Sequence, residues 1–131
     1  MKTHIRLAVA AAAVAVLAGC QTLVPIQNVS NAPVTPTTAK SLQASQVRAA
    51  IITAGTSLGW KVTDAGPGRL EGTLNLRTHT AVVELPYTAT SFGINYKRSD
   101  GLNADGGNIH RNYNGWVQNL DRAIRTEISR L

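Results

Sequence analysis

One cysteine, Cys20, is all that this chain of 131 residues carries. Without a second thiol no internal disulfide can brace the fold, so an apolar core has to hold it. No apolar run is long enough to cross a bilayer. A spanning helix needs about 20 such residues, and the stretch from Leu7 to Ala18 is shorter and meets Gly19. Acid is scarce, with 7 Asp and Glu against 13 Lys and Arg and a net charge of +6. Lys2 and Arg6 precede the apolar stretch, and the other bases are scattered. No basic cluster is interleaved with aromatics, which excludes nucleic acid as a partner. Solubility alone accounts for so mild an excess. Also missing are a nucleophile–base pair, a phosphate-binding loop and any Cys/His set at metal-ligand spacing. The expectation is a protein that is not an enzyme and uses no cofactor and no metal. Its length suffices for one small domain and not for two.

What the chain does have stands at its start. Lys2, His4 and Arg6 lead into the apolar stretch, which closes on Leu17-Ala18-Gly19-Cys20. A charged region, a short apolar region and small residues at a cleavage point make a secretory signal peptide. Leu-Ala-Gly-Cys also resembles the lipobox of bacterial lipoproteins. The resemblance implies that diacylglycerol alkylates the Cys20 thiol, that the chain is cut between Gly19 and Cys20, and that the new amine is acylated. Each buried methylene is worth about 0.8 kcal/mol, so one palmitate-like chain holds weakly and several anchor stably. In lipoproteins of enteric-type bacteria an Asp after the cysteine resembles an inner-membrane retention signal. Gln21 stands there in this chain, which implies the outer membrane, facing the periplasm. The competing reading, an ordinary cleavage site, leaves Cys20 as a free thiol in an oxidising compartment, where it is a liability.

Residues 1–19 thus read as signal peptide, 20–41 as the lipidated cysteine and a flexible tether, and 42–131 as the folded domain. In the tether, Pro25, Pro33 and Pro36 sit among Asn, Ser and Thr with no helical or strand period. Val47, Ala50, Ile51, Ala54 and Leu58 then recur at helical spacing, with Ser45 as the cap and Gly59 as the stop. Gly55 lies inside that helix at a cost of about 1 kcal/mol in propensity. Trp60-Lys61-Val62 begins a strand that turns at Gly66-Pro67-Gly68. Leu70, Gly72, Leu74 and Leu76 alternate with Glu71, Thr73, Asn75 and Arg77. After a hairpin at Thr78-His79, Ala81, Val83, Leu85 and Tyr87 continue the apolar face, and Pro86 marks an edge or a bulge. Phe92, Ile94 and Tyr96 alternate in a fourth strand, and Ser99 to His110, rich in Asp, Asn and Gly, is a loop. Tyr113, Trp116, Val117, Leu120, Ala123, Ile124, Ile128 and Leu131 share one stripe of a closing helix capped by Asn112. The fold class expected is α+β: a two-layer sandwich, with a four-stranded antiparallel meander carrying an N-terminal and a C-terminal helix on one face.

Arg77-Thr78-His79 between alternating strands, then Ile94-Asn95-Tyr96, then the run from Ile109 to Trp116 that opens the last helix, resemble a family of small proteobacterial lipoproteins of unknown function. That resemblance implies the fold and the location and carries no activity. Arg77, Lys97 and Arg98 are the candidate docking face for an acidic partner, lined up on the open side of the sheet. Asp100, Asn103, Asp105 and Asn108 offer oxygens to calcium, but not at EF-hand spacing. His79 or His110 could work with Glu84 or Asp100, although His79 stands most simply in solvent at a hairpin tip. Tyr87, Tyr96, Tyr113 and Trp116 line either a groove or, on their inward period, the core. The leading expectation is a membrane-anchored envelope lipoprotein, an interaction or structural module with an envelope protein as partner. The alternatives are a binding module for a small apolar ligand or lipid, favoured by a cavity between the Trp116 helix and the sheet, and a small cell-wall hydrolase.

Overall fold

A computed structural model describes residues 22–38 and 40–131. The signal peptide, the Gly19–Cys20 cleavage point and Gln21 lie outside the described residues. The described part of the stretch expected to be a tether belongs to the folded body. It holds β1 (Leu23–Pro25) and β2 (Val29–Pro33). Neither shows a strand period, because each is short and draws its stability from backbone pairing with distant residues. Pro25 and Pro33 each close a strand, a place where a missing N–H costs little.

The first helix, α1 (Ala44–Ser57), starts two residues earlier than a Ser45 cap would allow. Gln43 is the cap, and its backbone N–H donates to Gln46 Oε1 at 2.8 Å in a reciprocal capping box. Gly59, at φ +86°, ends the segment. Gly55 owes its place to close packing. A Cβ there would lie 2.6 Å from Val62 Cγ2, on the strand β3 (Lys61–Asp64) that follows.

The meander continues through β4 (Arg69–Leu76), β5 (His79–Pro86) and β6 (Ser91–Asp100). These four strands pair in sequence order, as expected, but β2 adds a fifth on the far side of β6, giving the order β2-β6-β5-β4-β3. The expected loop is shorter than Ser99–His110. Ser99 and Asp100 belong to β6, and Asn108–His110 form β7, which pairs with β1 in a separate two-stranded sheet. The closing helix α2 (Asn112–Ser129) has Arg111 at its cap position. The side chain that satisfies its first turn is that of His110, whose Nδ1 accepts the Asn112 N–H at 3.2 Å.

Leu70, Leu74, Ala81, Val83, Leu85, Phe92 and Ile94 are buried on one sheet face and join the buried stripes of both helices in a single core. Trp60 is only 3% exposed, and its ring lies 3.3 Å from where a Cβ of Gly72 would stand. The glycine thus makes room for the indole over the sheet.

Candidate functional site

The open face of the sheet is shaped by a β-bulge. Val82 stands opposite Arg98, while the next residue, Val83, stands opposite Tyr96. Lys97 is the extra residue, and a bulge lets two consecutive side chains leave on the same side. Lys97 and Arg98 accordingly both reach Glu71 on β4. Lys97 Nζ lies 2.7 Å from its Oε2 and Arg98 Nη2 lies 3.9 Å from its Oε1. Glu84 Oε1 stands 4.0 Å from Lys97 Nζ. The hydrogen bond from Lys97, opposed in part by desolvation, holds the Glu71 carboxyl below the ordinary carboxylate range. Val82, flanked in register by Thr73 and Arg98, is buried on this outer face.

The three expected docking residues therefore do not form one patch. Lys97 and Arg98 share an acid, and Arg98 is the more exposed, at 62% of its side chain. Arg77 lies at the β4–β5 hairpin tip, where it adopts φ +53° in a two-residue connection. That backbone region ordinarily favours glycine.

The histidines are held by local contacts. His79 sits edge-on to Trp116, with ring centroids 6.5 Å apart, and is partly covered rather than fully solvated. His110 serves the helix start. Among the described residues no group of three or more His, Cys, Asp or Glu converges as a metal site would. Asp105 and Asn108 exchange both backbone hydrogen bonds at 2.9 Å around Gly106 and Gly107, both at positive φ. The acidic loop is thus a tight hairpin turn.

Of the aromatics, Tyr113 is fully buried and meets Tyr96 edge-on at 5.4 Å. Its hydroxyl has no hydrogen-bond partner. Asn114 beside it is buried and bonds the N-terminal segment: Oδ1 accepts from the Gln27 N–H at 3.0 Å and Nδ2 donates to the Pro25 carbonyl at 2.9 Å. The amide thus takes the part of a strand partner between β1 and β2. Trp116 is not at the core's centre. It is partly exposed and lines a cavity of about 100 Å³ with Leu58, Trp60, Leu74, Leu76 and Asn119. Small-molecule sites run to about 300–1,000 Å³, so this space does not suit a lipid. A larger cleft of about 360 Å³ lies at the far end of the sheet, between β2 and the β5–β6 turn. Its lining includes Tyr87, Asn31 and Asn95 and no acid, base or thiol.

Among the described residues, Leu23, Leu58 and Leu76 are the large apolar side chains left exposed, at 37%, 41% and 42%. Sequence reading placed Leu58 and Leu76 on inward periods and Leu23 in a tether, so none drew attention. No family model, curated protein or solved structure matches the chain.

Proposed function

We propose that this chain is a lipid-anchored protein of the bacterial cell envelope, held in the outer membrane on the periplasmic side, whose folded body is a non-enzymatic interaction module. The observation that carries the reading is the run from Lys2 through Leu7–Ala18 to Leu17-Ala18-Gly19-Cys20. Support comes from two further facts. Among the described residues no helix is long and apolar enough to cross a membrane. The chain's sole cysteine stands where acylation needs it.

Acylation requires the sulfur, so Cys20→Ser is expected to abolish incorporation of labelled fatty acid and to leave unprocessed precursor. A serine variant that still takes up label would overturn the lipobox reading. Recovery wholly in the inner membrane would overturn the sorting.

For the body, the open sheet face is the proposed docking surface toward an acidic envelope protein. Lys97 is held by Glu71 at 2.7 Å and Arg98 more loosely, at 3.9 Å, so Arg98 is the base freer to turn to a partner. Arg98→Glu is expected to weaken capture of such a partner, more at low salt than at high, because screening acts over about 10 Å at 0.1 M. Equal capture by both proteins at both salt concentrations would remove this face.

A further inference from the structure

The position of β1 limits how far the body can stand from a bilayer. Leu23, the first residue of β1, follows Cys20 by three positions. A fully extended chain spans at most about 3.3–3.6 Å per residue, so the connection reaches about 10 Å. The polar layer on each side of a bilayer takes up about 5–7 Å of that. A body anchored at Cys20 therefore has almost no free tether, and the end of the molecule that bears β1 must lie against the lipid.

That end is continuous and apolar in places. Leu23 pairs with His110, and the His110 N–H donates to the Leu102 carbonyl at 2.9 Å. Gly101 packs on the Thr78 carbonyl at the β4–β5 hairpin tip, leaving no room for a Cβ. From the tip, His79 meets Trp116, which borders the same cavity as Leu58 and Leu76. Leu58 and Leu76 thus lie beside a partly exposed indole, and this run of contacts links them to Leu23. Indoles with one apolar and one wet side settle at membrane interfaces. Exposed charges of both signs occur along this run, among them Arg77, Arg111, Asp100 and Asp105.

We infer that Leu23, Leu58, Leu76 and Trp116 form a membrane-docking surface that seats the body on the leaflet holding its acyl chains, in a fixed orientation. The inference rests on the lipid anchor proposed above. Its strength comes from apolar contact and the short connection, so it is insensitive to salt.

The test uses the full mature protein purified from membranes and reconstituted in phosphatidylethanolamine–phosphatidylglycerol vesicles. Leu76→Cys and, as control at the opposite end, the exposed Ala65→Cys each receive an environment-sensitive fluorophore. Acylated Cys20 offers no competing thiol. The label at position 76 is expected to shift to the blue and to be quenched several-fold more by doxyl lipids than the label at position 65, at low and high salt alike. Leu58→Cys gives the same readout if the first variant does not fold. Mass spectrometry of the same samples separates the two failures. A chain without added lipid mass overturns the anchor and this inference with it. A lipidated chain whose labels are quenched equally overturns the docking surface alone.

Discussion

Tyr113 shows how one residue can carry a cost inside a well-packed core. Its side chain is fully buried, and its oxygen is the one buried side-chain polar atom among the described residues with no partner. Burying a hydroxyl without a hydrogen bond costs about 1–3 kcal/mol. Tyr113→Phe keeps the ring and its edge contact with Tyr96, so it is expected to raise stability by about 1 kcal/mol and the melting temperature by several degrees. The effect also depends on pH. Burial, with a smaller contribution from Tyr96, raises the Tyr113 pKa above its ordinary value of 10.0. The unfolded chain therefore releases this proton first. Stability is intact below that value and falls as pH climbs beyond it. Thermal melts at alkaline pH should show a shallower loss in the Phe variant; parallel losses would mean the hydroxyl reaches solvent.

The helices differ in what their glycines do. A Cβ on Gly55 would press on Val62, while one on Gly115 in α2 would meet nothing within 4 Å. Gly115→Ala should therefore add about 0.5–1 kcal/mol from helix propensity. Gly55→Ala gains the same propensity but forces α1 off β3, a type of overpacking that costs about 1–3 kcal/mol. Opposite shifts in denaturant midpoint are the expected outcome, and shifts of one sign would refute the packing account. Element by element, what was legible follows from periodicity. The alternation of Leu70 to Leu76 and of Ala81 to Leu85 reported a sheet wet on one side, and the stripe on α2 reported its core face. The strands β1 and β2 left no such trace, since they are edge pieces with prolines and their pairing is made by backbone. The bulge at Lys97 was also hidden, because an inserted residue changes which face each later side chain takes while leaving the composition unaltered. Arg98 and Lys97 could be named as outward bases, but their shared acid Glu71 could be found only in register.

At the scale of the molecule, the N-terminal segment completes the fold rather than suspending it. Thr37 Oγ1 donates to the Ser129 carbonyl at 2.6 Å, and the Tyr96 N–H donates to Asn28 Oδ1 at 2.8 Å. A chain beginning at Leu42 would uncover the β6 edge, an invitation to pair with other chains. Residues 42–131 alone are expected to melt lower and aggregate more than residues 22–131, measured by scattering on heating; equal behaviour would restore the tether. The N-terminal locks also impose an order of events. The Gln27 N–H finds Asn114 87 residues along the chain, and Asn28 finds Tyr96 across 68. Contacts of such separation form late, since they wait on closure of the longest loops. In a chain delivered from its N-terminus, β1 emerges first and finds its place last. Any enzyme that acts on the start of the chain thus works beside an open strand for the whole of delivery, and β1 closes only when the final helix arrives.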